Sequence, residues 1–531
     1  MIRPGILALA FVALVIGGAF GGLVTEAARD WAGALEAFDS GMVRIVRFTL
    51  WQAVLSTALS VGPAIFVARA LSRHPDFFGR GLLLKLFAVP LGLPAIVAAL
   101  GLLALYGRAG FAADLYARAG AGQWPGIYGL SGILVAHVFF NLPLATRLLL
   151  AALETVPHDQ WRLASQLGMR GGAVFRLIEW PALRTALPGV AALVFMLCVT
   201  SFTLVLTLGG GPAATTLEVA IYQALRFEFE PARAVALTAM QIALTVAAVF
   251  ALSRLGADAT GDASLPVAGR RPRHTGPAGG LLLDGATIGL AALFVLAPMA
   301  AIVASGLGAD LGRLATEPAV VSAAGQSLAL SFGSATLSVA LSLSLVSMRR
   351  RLEEARRGGR PGLLETLSDS GASLVLIVPP IVIGAGWFVL LRNSGAVFTV
   401  APVMVVAVNA LMAMPFATRA IRPAYDAAAA RNDRLCAQLG LSGWTRARLV
   451  DWPELRRPLL TGFAFAMALS LGDLGVIALF GSDAVQTLPY LLLSRMGSYR
   501  TADAAGLALF LGLLCFALMA IADRLGREPV R

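Results

Sequence analysis

A chain of 531 residues that is 58% apolar and only 14% charged has the composition of a membrane protein, since globular chains carry about 25% Asp, Glu, Lys and Arg. That deficit of charge excludes a large soluble enzyme, a coiled coil and a disordered scaffold. The net charge of +12 is spread through short loops between apolar runs, a distribution that suits orientation in a bilayer and not nucleic-acid binding.

A hydrocarbon core about 30 Å thick takes about 20 apolar residues of helix. Twelve runs meet that length, which predicts an all-α membrane protein with twelve transmembrane helices. The first six are Ile6–Val24, Phe48–Leu71, Gly81–Tyr106, Gly129–Leu153, Thr185–Gly209 and Arg233–Leu255. Residues 256–280, rich in Gly, Pro and Arg, read as a cytoplasmic linker. The second six are Leu281–Gly306, Ser322–Ser347, Leu364–Leu391, Ala401–Ile421, Leu459–Gly481 and Ala502–Leu525. The chain thus divides into a first half at 1–255 and a second at 281–531. Arg3 ahead of the first run has the look of a signal peptide. That run is too long, has no clear Ala-x-Ala site, and its removal would spoil the loop charges, so it reads as a retained helix.

Loops after even-numbered spans are basic. Arg69, Arg73, Arg80 and Lys85 follow the second span, Arg162, Arg170, Arg176 and Arg184 the fourth, and Arg270, Arg271 and Arg273 the sixth. The pattern continues with Arg349, Arg350 and Arg351, then with Arg422, Arg431 and Arg434. Loops after odd-numbered spans are sparse in basic residues or balanced by acids, as at Glu26, Asp30, Glu36 and Asp39. The positive-inside rule places both termini in the cytoplasm.

Rare residues narrow the chemistry. The single lysine, Lys85, follows Leu84, so no Gly-Lys-Ser or Gly-Lys-Thr phosphate loop exists in the chain. ATP is not held here by that device. His74, His137, His158 and His274, and Cys198, Cys436 and Cys515, are scattered without the close pairs of metal or redox sites. No bound cofactor and no disulfide framework is expected.

Residues 143–215 match those 272 further on without a gap. Pro143, Ala145, Thr146 and Arg147 recur as Pro415, Ala417, Thr418 and Arg419. Gln166, Leu167 and Gly168 recur as Gln438, Leu439 and Gly440, and Trp180-Pro181 as Trp452-Pro453. Such matches are not the Leu and Ala coincidences of an apolar chain. Six spans separate equivalent points, so the copies share one orientation; parallel repeats imply a pseudo-two-fold axis along the membrane normal, with a path between the halves.

The matched polar loops, about 154–184 and 422–457, are too long for simple turns. In the first, Thr155 and Pro157 open a helix whose Leu163, Ala164 and Leu167 fall at helical spacing, and Gly168 sits where a left-handed cap ends it. In the second, Asn432 or Asp433 is placed to cap, Leu435, Cys436 and Leu439 form the stripe, and Gly440 stops it. Pro181 and Pro453 fix the chain where it re-enters the bilayer. A short helix with a narrow apolar stripe suits a groove on another protein, whereas one isolated copy would equally suit a lipid surface. Two copies about a two-fold axis favour a symmetric dimeric partner.

These loops resemble the cytoplasmic loop of ABC importer permeases, with its Glu-Ala-Ala, its following Gly and its Ile-x-Leu-Pro at fixed spacing. Gly168 is followed at that spacing by Ile178 and Trp180-Pro181, and Gly440 by Val450 and Trp452-Pro453. Arg162-Leu163-Ala164 and Arg434-Leu435-Cys436 occupy the Glu-Ala-Ala places, so the glutamate is absent from both. In that family the loop is the coupling helix that docks on the ATPase subunits. Over most of its length the chain is similar to bacterial thiamine (thiamine pyrophosphate) ABC transporter permeases, in His137-Val-Phe-Phe-Asn141-Leu-Pro, Gln166-Leu-Gly-Met-Arg170, Gly209-Gly-Gly-Pro212 and Gly472-Asp473-Leu-Gly475. The resemblance implies a type I importer fold of two six-span halves in the bacterial inner membrane. It also implies a homodimeric ATPase below, which binds ATP and Mg, and a periplasmic thiamine-binding protein above.

Charge inside a span is costly and marks function. Asp473 is the only acid deep in a span, and Ser201 is its counterpart in the first half. Asp473 either attracts a cation such as a thiazolium from the path, or satisfies backbone amides where the helix loosens beside Gly472 and Gly475. His137 with Asn141, and Asn409 in the place of His137, are candidates beside the path, where interhelical hydrogen bonding is the favoured role. The segments Thr215–Glu230 and Gln486–Arg500 are outer loops on which the binding protein is expected to rest. A ferric-iron importer permease is the alternative within the class, although it favours more oxygen ligands than Asp473 offers. A proton-coupled secondary transporter is the alternative outside it, and would need midplane carboxylates and no docking loops.

Overall fold

A bilayer offers no water to hydrogen-bond, so a spanning chain must satisfy its backbone internally. Among the described residues the chain is helical, with no strand. The structure, a computed structural model, describes residues 2–526 apart from 121, 170, 255–277, 357–359, 375–377, 393, 442 and 483–484. Almost all of the expected linker lies outside the described residues.

α1 (Ile2–Arg29) is uncharged between Arg3 and Glu26 and leads into α2 (Trp31–Glu36), which the Asp30 carboxylate caps through the Gly33 amide. α3 (Ser40–Arg73) is followed by α4 (Arg80–Leu86), α5 (Val89–Gly92) and α6 (Ala95–Tyr106). The run expected as one span over Gly81–Tyr106 is therefore divided, because Pro90 and Pro94 withhold backbone amides. α7 (Phe111–Arg118) and α8 (Leu130–Glu154) precede α9 (His158–Gln166) and α10 (Gly171–Val174). A π-turn at Phe175–Glu179 opens into α11 (Trp180–Val199), then α12 (Thr203–Leu208), α13 (Leu217–Arg226) and α14 (Pro231–Arg254).

Beyond the linker come α15 (Ala278–Leu307), α16 (Leu311–Thr316), α17 (Pro318–Ala355), α18 (Leu363–Leu374) and α19 (Pro380–Arg392). α20 (Val397–Gln438) and α21 (Gly443–Arg446) lead to a second π-turn, Ala447–Asp451. α22 (Trp452–Gly472), α23 (Gly475–Phe480), α24 (Leu488–Gly497) and α25 (Thr501–Gly526) follow. Among the described residues, 10 helices are long and apolar enough to cross a membrane. Of the twelve expected stretches, Leu364–Leu391 falls into α18 and α19, and Leu459–Gly481 into α22 and α23. Pro380 opens α19, and the break after α22 falls at Gly472-Asp473.

Two compact units interleave along the chain. One comprises Met1–Asp39, Ala220–Ile242 and Gly308–Arg531; the other comprises Ser40–Val219 and Ala243–Leu307. α1 thus belongs with the C-terminal helices, and α15 with the N-terminal ones. In the first unit α1 lies on α19 with backbones touching: a Cβ on Gly22 would fall 2.1 Å from the Gly386 carbonyl oxygen, and one on Gly386 2.2 Å from that of Ala19. The Trp387 indole N–H donates to the Val15 carbonyl at 2.7 Å. In the second unit α15 meets α6 at Gly101, where a Cβ would fall 2.6 Å from the Pro298 carbonyl oxygen. Lipid is as apolar as a leucine, so helices associate through such close backbone approach at small residues.

Two long helices, α3 and α17, have polar stripes. Thr49, Gln52, Ser56 and Ser60 of α3 are buried, as are Ser327, Ser331, Ser334, Ser338 and Ser342 of α17. Steps of three and four residues put each set on one helix face. α3 packs on α8 and α11, and α17 on α20 and α22.

Candidate functional site

The first loop begins where α8 stops and Pro157 precedes α9. α9 is closed two residues after Gln166 by Gly168, whose φ is +65°. The Met169 N–H donates to the Ala164 carbonyl (2.9 Å) and the Gly168 N–H to that of Ser165 (3.1 Å), the paired bonds of a Schellman cap. The second loop repeats this. Gly440 has φ +66°, Leu441 N–H donates to the Cys436 carbonyl (2.8 Å), and Gly440 N–H to that of Ala437 (3.3 Å). Both loops continue through a positive-φ glycine, Gly171 or Gly443, a π-turn, and a helix with Pro181 or Pro453 in its first turn.

Exposure repeats as well. Ala164 and Cys436 are buried, whereas Arg162, Leu163, Leu167 and Gly168, and Arg434, Leu435, Leu439 and Gly440, are exposed. Leu163 with Leu167, and Leu435 with Leu439, are i,i+4 neighbours, so each loop presents a two-leucine knob. Asn432 and Asp433 do not start a helix, contrary to the sequence expectation. α20 runs unbroken to Gln438, and the Asp433 carboxylate is instead engaged by Arg446 and, at 3.8 Å, by Arg350.

Of the groups that hold the loops, Ala164 was a sequence candidate, whereas Trp161, Glu179 and their partners were not. In the first, Val156, Trp161, Ala164, Val174 and Ile178 form a small apolar core. The π-turn directs Glu179 inward, where it is fully buried and takes the Arg69 Nε–H at 2.8 Å; Arg73 Nε lies 3.5 Å away. The Arg69 guanidinium sits 4.0 Å over the Phe175 ring. Arg73 and His74 reach Asp284 at 3.4 and 3.1 Å. In the second loop the equivalent acid, Asp451, meets Arg446 at 3.4 Å, and Arg431 meets Glu454 at 3.3 Å. The acid ahead of Trp-Pro in both copies, Glu179 and Asp451, was the available signal.

Ser201 and Asp473 each lie where a span unwinds, between α11 and α12 and between α22 and α23. The Asp473 carboxylate accepts from the Gly475 and Val476 amides at 3.3 and 3.4 Å, which serves the first turn of α23. His137 and Asn141 join one network: His137 Nδ1 lies 2.9 Å from Ser56 Oγ, Asn141 Nδ2 donates to Cys198 Sγ at 3.4 Å, and Gln52 Nε2 donates to the Cys198 carbonyl at 2.9 Å. Asn409 Nδ2 donates to Ser470 Oγ at 3.0 Å in the other unit. All three side chains are buried and tie helices together. Among the described residues no cluster of His, Cys, Asp and Glu has the form of a metal site.

The expected outer loops are also alike. Leu217 N–H donates to Thr49 Oγ1 (3.1 Å), while Leu488 N–H donates to Ser327 Oγ (2.7 Å) and Gln486 N–H to Gln326 Oε1 (2.9 Å). A short helix follows in each, then an aromatic residue of positive φ, Phe229 (+56°) or Tyr499 (+60°). Glu218 of α13, outside the candidate spans, is buried with Oε1 lacking a hydrogen bond. Burial pushes its carboxyl up to about 8, which keeps it neutral at pH 7. A single acid in an amphipathic helix looks like a surface residue in sequence, and it was passed over.

Residues 59–258 and 358–528 match the family of binding-protein-dependent transport system inner membrane components. The chain belongs to that family. It is a multi-pass inner-membrane permease, a transport subunit whose ATPase is separate. Three relatives extend the likeness over nearly the whole permease. It is 57% identical to the thiamine transport system permease protein ThiP of Brucella abortus (strain 2308), over 98% of this chain and 94% of that one. It is 42% identical to the protein of that name from Escherichia coli (strain K12), over 99% and 97%. With that of Haemophilus influenzae the identity is 36%, over 97% and 94%.

Proposed function

We propose that this permease imports thiamine or its phosphate esters, delivered by a periplasmic thiamine-binding protein and driven by a homodimeric ATPase that binds ATP and Mg in the cytoplasm. The likeness over nearly the whole chain to three thiamine transport system permeases carries the substrate. The twin leucine knobs, each closed by a left-handed glycine, carry the mechanism. The fold is read as twelve spans in two parallel six-helix halves at 1–255 and 281–531, with α18–α19 and α22–α23 completing the ten long helices and both termini in the cytoplasm.

In this mechanism a loaded binding protein docks on the α13 and α24 loops and ATP closes the ATPase pair. Arg162, Leu163, Ala164, Leu167, Gly168 and Pro181, with Arg434, Leu435, Cys436, Leu439, Gly440 and Pro453, form the two docked loops that convert closure into outward opening. ATP must bind the closed pair preferentially, because a ligand shifts an equilibrium only by its differential affinity. Moving a population from 1:99 to 99:1 takes about 5.5 kcal/mol. Hydrolysis resets the inward-facing state. His137, Asn141 and Asn409 belong to the helices that shape the path, and Ser201 to the break between α11 and α12 beside it.

The test is uptake of labelled thiamine into vesicles holding the permease, its ATPase and its binding protein. ATP-dependent accumulation is expected; accumulation without the ATPase would favour a secondary transporter. Tight binding of ferric iron and not thiamine by the cognate binding protein would favour the iron importer. Asp473→Asn keeps an acceptor for the α23 amides and is expected to leave uptake within about twofold, whereas Asp473→Leu should cost about 1 kcal/mol of local stability. Loss of uptake in a folded Asp473→Asn permease would assign the charge to the substrate cation instead.

A further inference from the structure

α3 and α17 each connect an inner loop with an outer one. Near the start of α3, Thr49 Oγ1 accepts the Leu217 amide at 3.1 Å; further along, Arg69 holds Glu179 of the first coupling loop at 2.8 Å. At 1.5 Å per residue these two anchors lie about 30 Å apart on one helix. α17 has the same plan with different residues. Gln326 and Ser327 accept the Gln486 and Leu488 amides, and Arg349 and Arg350 reach Asp426 and Asp433 of the α20 segment that ends in the second knob. Hydroxyl or amide at one end and arginine at the other recur, which one chance contact would not produce. Glu179 is fully buried, so moving it away from Arg69 and Arg73 would strand a charge in a dry site. The inner loop and α3 must therefore shift as one piece. Pro63 lies between the α3 anchors, whereas α17 has no proline beyond its first turn.

We propose that α3 and α17 are the rods that carry the ATPase stroke from the coupling knobs to the outer loops, with Glu179 and Asp433 as the inner latches and Thr49 and Ser327 as the outer ones. The proposal rests on the importer reading above. Glu179 is a positioning residue: it touches no substrate and acts through α3.

The test uses the reconstituted complex of permease, ATPase and binding protein, with labelled thiamine uptake and ATP hydrolysis measured side by side. Glu179→Gln and Thr49→Val are each expected to lower thiamine accumulated per ATP by about tenfold, with assembly and hydrolysis within about twofold of the parent. The double variant should be no worse than the more severe single one, because both cut the same rod. Independent, multiplying losses would overturn the proposal, as would a parallel fall in assembly, hydrolysis and uptake, or an unchanged ratio.

A second measurement needs neither a change at Glu179 nor a transported substrate. Spin labels on Phe66→Cys of α3 and Gln160→Cys of α9, both exposed positions, can be introduced because Cys198, Cys436 and Cys515 are buried. The distance between the labels should stay constant between the ATP-trapped and nucleotide-free complexes; a change would overturn the rod. A parent complex that shows constant spacing but no thiamine uptake would count against the substrate assignment alone.

Discussion

Gly386→Val will leave the permease unable to hold α1 and will remove most folded protein from the membrane. A Cβ at this position meets the Ala19 backbone at 2.2 Å, and on the facing helix Gly22 is as tightly placed against the Gly386 carbonyl. Backbone cannot swing aside as a flexible side chain can, so relief requires α1 to move off α19. The Val15 carbonyl would then lose the Trp387 N–H. Overpacking of this kind costs about 3 kcal/mol or more. The measurement is the fraction of solubilised protein that elutes as a single folded species. Gly17→Val supplies the control, since nothing lies within 4 Å of a Cβ there, and it should behave like the parent. Equal yields from both variants would refute the contact.

The second large effect falls on transport and spares folding. Gly168 and Gly440 have φ near +65°, yet a Cβ on either would meet nothing within 4 Å. Valine there is penalised by its own backbone and not by a neighbour, because left-handed geometry costs an L-residue about 1–2 kcal/mol and a β-branched one more. The helix end would relax to another conformation, the Schellman bonds would open, and the leucine knob would turn away from its dock. Gly168→Val and Gly440→Val should insert normally and lose at least about tenfold in uptake. Asparagine tolerates the left-handed region, so Gly168→Asn should keep most of it. Normal uptake in both valine variants would count against docking through these knobs.

What could be seen in the sequence was what depends on neighbours in the chain. A run of apolar residues announces a spanning helix, and a glycine at the end of a short amphipathic stretch announces a left-handed stop. The knobs were legible for that reason. Prolines act differently from place to place: Pro90 and Pro94 divide a stretch counted as one span, while α20 passes Pro402, Pro415 and Pro423 without ending. Neighbouring helices can re-satisfy backbone groups that proline frees inside a membrane protein, and no local rule announces where they will. Asn432-Asp433 looked like a cap because polar pairs often are; its role was decided by Arg446 and Arg350, the latter more than 80 positions away. Glu179 and Arg69 are 110 residues apart, and only folding shows that they meet.

The placement of α1 and α15 bears on how the chain is made. Everything up to residue 254 can leave the ribosome and still lack α15, which its unit needs at Gly101, while Gly22 of α1 must wait for α19. Neither body can mature as a finished N-terminal or C-terminal portion. α1 can meet α17 at Gly5 before α19 exists, but the seat of Gly22 forms only once α19 has been made, so a nascent chain that stalls before α19 offers the quality-control proteases a helix only partly claimed.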